Sequence, residues 1–171
     1  MIFNDGDTIV AQATPTGGAI CVIRMSGEDA ITLCDKVFRG RKSLCDATTA
    51  TLHYGNIVDG EEVIDNVLVS VFRAPHSYTG EESVEISTHG SRYVVERVIA
   101  LLVRQGARMA EAGEFTRRAF LAGRMDLSQA EAVADLVAST SRASHRLAMN
   151  QLKGGFSHEL GNLRNKLLKL T

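Results

Sequence analysis

The chain has 171 residues, 44% of them hydrophobic and 23% charged, with a formal net charge of −1. That supplies apolar material for one ordinary core with an appended helical piece. The near-neutral balance argues against a chain that grips nucleic acid chiefly by neutralising phosphates. No apolar run is long enough to span a membrane. The opening residues, MIFNDGDTIV, carry acidic groups and lack the basic lead of a secretory signal. Cys21, Cys34 and Cys45 are odd in number and show no C-x-x-C spacing. Cys21 and Cys34 fall in apolar patterns and read as small core residues, so no structural zinc site is expected, and a reducing cytoplasm fits.

In chain order, TIVAQA at Thr8 to Ala13 and AICVIR at Ala19 to Arg24 read as strands joined by the turn residues TPTGG. Ser26 and Asp29 offer a cap for a helix carrying Ala30, Ile31, Cys34, Val37 and Phe38 at helical spacing. Arg39 to Thr49 is polar and irregular. Thr51 to Val58, Asp59-Gly60, and a strand around Val63 and Val67 to Phe72 spell an antiparallel hairpin. Pro75 stops that strand, and HSYTGEE is a loop. Ser83 to His89 alternates: Val84, Ile86 and Thr88 face one way, Ser83, Glu85, Ser87 and His89 the other. Ser91 opens a helix that buries Val94, Val95, Val98, Leu101 and Leu102. Gly106 ends it, and ARMA is a further short strand.

From Gly113 onward the pattern is helical. A short helix carries Phe115, Ala119, Phe120 and Ala122, with Gly123 as its left-handed cap. Ser128 and Glu131 spell a capping box, with Leu127 placed as a staple. A long helix is then expected to bury Val133, Val137, Thr140, Ser144, Leu147 and Gln151 or Leu152. Gly154-Gly155 interrupts it. Phe156, Leu160, Leu163, Leu167 and Leu170 continue as a heptad stripe. That stripe reaches Thr171 without a terminating residue, as an excised piece of a longer chain would. The fold class is α+β: a mixed, largely antiparallel sheet with helices over residues 1–121, then the long helices of an incomplete helical domain over 122–171.

No phosphate-cradling G-x-x-x-x-G-K-[ST], no G-x-S-x-G and no H-E-x-x-H occurs, and the five histidines lack ligand spacing. Three residues suggest a site: Arg24 at the end of an apolar strand, Glu85 in the middle of a short strand, and Arg124 in a helix break. Each also has a plain reading. Arg24 would cap the strand or pair with Asp29, Glu85 would be solvated on the open sheet face, and Arg124 would fill a helix corner. His89 reads as a strand-end histidine bonded to the following turn.

The segments DTIVAQATPTGGAICVIRMSG, PHSYTGEESVEISTHG and GEFTRRAFLAGRMDLSQAEAVADL resemble three successive blocks of the tRNA-modifying GTPase family MnmE, also called TrmE. The resemblance spans nearly the whole chain but only the N-terminal part of the family. It implies a tetrahydrofolate-binding and homodimerising domain, similar in fold to the folate-binding domain of aminomethyltransferases, followed by the first helices of a helical domain. Family members work with the flavoprotein MnmG and place a carboxymethylaminomethyl-type group on the wobble uridine of tRNA. The one-carbon donor is 5-formyl- or 5,10-methylene-tetrahydrofolate. GTP hydrolysis with potassium and magnesium belongs to a G domain that this chain does not contain, so the chain alone is not expected to be catalytic.

The family's folate contacts map onto Arg24, Glu85 and Arg124; the last is commonly lysine in the family. The TPTGG loop is shorter than the family's TPPGRGG form and lacks its basic residue. The chemistry agrees: a reduced pterin presents an amide N–H beside an amino group, which a carboxylate accepts together, and arginines suit the folate's carboxylates and carbonyls. Two other readings remain. One is a free-standing folate-dependent one-carbon transferase with Glu85 or Asp126 as acid or base. The other is a purely structural dimer module.

Overall fold

The computed structural model describes residues 6–154 and, beyond them, positions 158, 161, 164, 165 and 168. Their strands are β1 (Ile9–Gln12), β2 (Ile20–Ser26), β3 (Phe38–Gly40), β4 (Thr51–Asp59), β5 (Glu62–Phe72), β6 (Ser83–His89) and β7 (Arg108–Met109). They form one sheet in the order β3-β4-β5-β6-β2-β1-β7. Every pairing is antiparallel except β1 with β7, so the α+β class is as the alternating patterns indicate.

Helices α1 (Ala30–Val37) and α2 (Arg92–Arg104) supply the apolar layer for one sheet face. Cys21, Ile23 and Met25 of β2, Val67, Val69 and Val71 of β5, and Val84 and Ile86 of β6 meet Ile31, Cys34, Val95, Val98 and Leu102 in the core. A period of two along each strand puts these side chains on one face and leaves the intervening ones on the other. The register then lays Leu52, Ser70, Glu85, Arg24 and Ala11 in one row across five strands of the opposite face.

Several local expectations change. The α1 N-cap is Asp29, but its side chain makes no capping bond; its N–H donates to Thr8 Oγ1 instead. Ser26 is turned to a different task, described below. The polar stretch after α1 contains β3 and a 3-10 turn at Leu44–Asp46, whose pairing partner β4 could not be read from local pattern. The hairpin loop is Gly60-Glu61, since Asp59 still pairs with Glu62. Its tip is fastened to α2 by Arg97 on Asp59 and Glu62 and by Arg104 on Asp59. The hydrogen bond from Arg104 holds the Asp59 carboxyl below its ordinary value, and that from Arg97 does the same for Glu62.

The chain divides into two compact units, Met1–Phe115 and Thr116–Thr171. Near that division, α3 (Glu114–Leu121) ends in a Schellman turn: Gly123, at φ +69°, donates to Phe120 O, and the Arg124 N–H donates to Ala119 O. Only glycine takes that φ without strain, so the expected cap is present. The expected single long helix is instead α4 (Leu127–Ala138) and α5 (Arg142–Leu152). Ser141 caps α5 reciprocally with Ser144, and this competing hydrogen bonding breaks the helical run. The Gln129 amide donates to Leu152 O and that of Gln151 to Ser128 O, which ties the pair as an antiparallel hairpin. Ala132 and Ala148 are buried there, whereas the expected contact residues Val137 and Leu147 are exposed. The capping box of α4 is Asp126 with Gln129, not Ser128 with Glu131. The stripe Phe156, Leu160, Leu163, Leu167 and Leu170 lies outside the described residues.

Candidate functional site

Arg24 and Glu85 sit opposite each other on β2 and β6, in register. Antiparallel partners lie close enough for side chains to meet. Arg24 Nε reaches Glu85 Oε1 at 2.8 Å and the adjacent Nη2 reaches the same oxygen at 2.7 Å. Both groups are partly exposed. The pair thus uses one carboxylate oxygen and two guanidinium nitrogens. Among the described residues, Glu85 Oε2 and Arg24 Nη1 have no hydrogen-bond partner. An open acceptor and an open donor therefore stand side by side on a rigid sheet.

Two aromatic rings border the guanidinium. The Arg24 Cζ lies 5.2 Å from the Tyr78 ring centre and 5.6 Å from that of Phe115. These are cation–π distances. Tyr78 comes from the β5–β6 loop, and Phe115 is the last residue of the first unit. Neither was singled out from sequence as a site residue. The available signal was the tyrosine between hydroxyl residues in HSYTGEE; Phe115 read simply as a helix-face residue.

Phe115 is held by a buried ionic knot next to it. Glu114 is 1% exposed; its carboxylate accepts from Arg108 Nη2 at 2.7 Å, Arg108 Nη1 at 3.1 Å and the Glu111 N–H at 2.7 Å. Arg108 also binds Asp7. These carboxylates, Glu114 first, raise the Arg108 guanidinium further above its usual range.

The other sequence candidates separate. Arg24 does not pair with Asp29. Arg124 stands in the second unit, exposed, immediately after the Gly123 turn. His89 does not bond the following turn: its Nδ1 is 2.6 Å from Asp65 Oδ1 and its N–H donates to Asp65 Oδ2, on neighbouring β5. Asp126 Oδ1 accepts the Gln129 N–H as the α4 cap. Cys21, Cys34 and Cys45 are free thiols, the first two buried. Among the described residues no three His, Cys, Asp or Glu side chains group as a metal site, and no helix is long and apolar enough to cross a membrane.

Residues 8–124 match the family described as GTP-binding protein TrmE N-terminus, and residues 127–171 match the MnmE helical domain. The chain is 59% identical over 168 residues to the tRNA modification GTPase MnmE of Bacteroides thetaiotaomicron, covering 96% of this chain and 36% of that protein. It is 59% identical over 165 residues to that of Christiangramia forsetii, with 95% and 35% covered. Against that of Flavobacterium psychrophilum it is 55% identical over 171 residues, with 98% and 37% covered. The chain thus spans about a third of the length of these relatives, in their N-terminal part. Two family models that together span its sheet and its helices, and relatives matched nearly end to end, show that this chain belongs to the MnmE (TrmE) family.

Proposed function

We propose that this chain is the folate-binding and dimerising region of a tRNA-modifying GTPase. The observation that carries the reading is the Arg24–Glu85 pair, which leaves one carboxylate oxygen and one guanidinium nitrogen open beside two aromatic rings. The donor set fits a reduced pterin: Glu85 accepts from its amide and amino N–H groups, and Arg24 donates to a carbonyl or carboxylate. Arg124 is assigned to the same ligand on the strength of the family resemblance. The folate, as 5-formyl- or 5,10-methylene-tetrahydrofolate, supplies the one-carbon unit; the chain's own residues bind and orient it. The apolar residues Ile20, Leu52, Tyr54 and Leu68, exposed on the open sheet face, support homodimerisation.

Modification of the wobble uridine of tRNA, partnership with MnmG, and GTP hydrolysis with potassium and magnesium are proposed for the whole protein in the cytoplasm. A free-standing transferase is disfavoured because Asp126, one of its two candidate acids, is engaged as a helix cap. Calorimetric titration of the chain with 5-formyl-tetrahydrofolate tests the reading. Glu85→Gln removes a charge-assisted interaction worth about 2 kcal/mol, roughly thirtyfold in Kd, while the dimer persists by light scattering. Equal affinity in both proteins would remove Glu85 from the site, and no heat with wild type at near-millimolar ligand would favour a purely structural dimer module.

A further inference from the structure

Ser26 lies two residues beyond Arg24 on β2, on the same strand face. It is fully buried, and its hydroxyl donates to Glu81 Oε2 at 2.6 Å while lying 2.6 Å from Thr79 Oγ1. Thr79 is 1% exposed. On the other side of Tyr78, the Ser77 hydroxyl donates to Glu81 O at 2.6 Å and accepts the Gly80 N–H at 2.9 Å. Both chain neighbours of Tyr78 are therefore tied down, and one of them is tied to the strand that carries Arg24. The ten-residue loop between β5 and β6 would otherwise leave a tyrosine ring free to swing. Here the ring, like that of Phe115, is set by the guanidinium, with Tyr78 itself 37% exposed.

We propose that Tyr78 is a positioning residue of the folate site: held by the Ser26–Thr79–Glu81 knot, its ring together with Phe115 fixes the Arg24 guanidinium and, through it, the Glu85 carboxylate that reads the pterin. The inference rests on the folate reading above. A carboxylate whose partner is fixed in advance loses less freedom on binding, so the ring acts on affinity without touching Glu85. The ring face is what the guanidinium needs, and phenylalanine would keep that face.

The test uses the 171-residue chain and 5-formyl-tetrahydrofolate. Tyr78→Leu is expected to weaken binding about tenfold, and Tyr78→Phe to stay within about twofold of wild type. In a Glu85→Gln background, Tyr78→Leu is expected to add less than about twofold, because residues acting through one contact are non-additive. The Arg24 Nε–H resonance in the ligand-free chain is expected to move in Tyr78→Leu and to hold its place in Tyr78→Phe. A full tenfold loss on top of Glu85→Gln would show that Tyr78 does not act through Glu85, and wild-type affinity in Tyr78→Leu would show no role; either overturns this inference and leaves the folate reading standing. A wild-type chain that takes no folate overturns both.

Discussion

Glu114 is the most deeply buried charge among the described residues, and replacing it by alanine should destabilise the first unit clearly. The substitution removes two guanidinium hydrogen bonds and strips the acceptor from the Glu111 N–H. A fully buried pair broken in this way costs about 3–5 kcal/mol because the surviving charge is stranded. Here the survivor is less exposed to that penalty: the Arg108 side chain is 42% solvent-accessible and keeps Asp7 at 2.7 Å. The expected loss is therefore about 2–3 kcal/mol, composed of the charge-assisted bonds and one unsatisfied N–H. For a unit of this size that is roughly 8–12 °C in Tm. Glu114→Gln retains an acceptor for the N–H and should lose about half as much. Thermal unfolding followed by circular dichroism measures both. An alanine variant melting within about 1 °C of wild type would mean that the knot is no better than its solvated alternative.

The reassigned capping box is tested by two variants: Asp126→Ala should cost about 1 kcal/mol. Ser128→Ala should be neutral or slightly stabilising, because the Ser128 hydroxyl is buried with no partner among the described residues; the reverse order in urea denaturation would restore Ser128 as the cap. Alkylation of the native chain should label Cys45, which is exposed, and spare Cys21 and Cys34 until the chain is unfolded; burial also pushes the Cys34 thiol well above its usual range. Peptide mass mapping reads this directly, and early modification of Cys34 would contradict its place in the core. Asp59 and Glu62 have depressed folded-state values, so their contribution is present above the ordinary carboxylate range and is lost as pH falls through the lower, folded-state values. Hydrogen-exchange protection at the β4–β5 tip, corrected for the intrinsic rate at each pH, should accordingly fall on acidification below about pH 4, and Asp59→Asn should remove part of that dependence; an unchanged profile would deny the Arg97–Arg104 clamp its role.

Elements whose signals are local are legible in the residues alone. Alternation from Ser83 to His89 set which side chains of β6 face the core, and helical spacing set the buried face of α2, because each period maps directly onto a surface. Gly123 announced its own left-handed cap. The three blocks of polar residues carried the family, which periodicity alone does not encode. Tertiary structure decided what depends on partners distant in the chain. β3 exists because β4 pairs with it. Whether Arg24 would meet Asp29 or Glu85 was settled by strand register over a separation of 61 residues, and the choice between the turn and Asp65 for His89 was settled in the same way. The helix pair α4–α5 shows the same division: small and polar residues permit either one long helix or two. Reciprocal caps at Asp126 and Ser141, with the Gln129 and Gln151 cross-links, select the hairpin. Local pattern counts interactions within a few residues, whereas these outcomes turn on free-energy differences of about 1 kcal/mol supplied by contacts that only the folded chain creates.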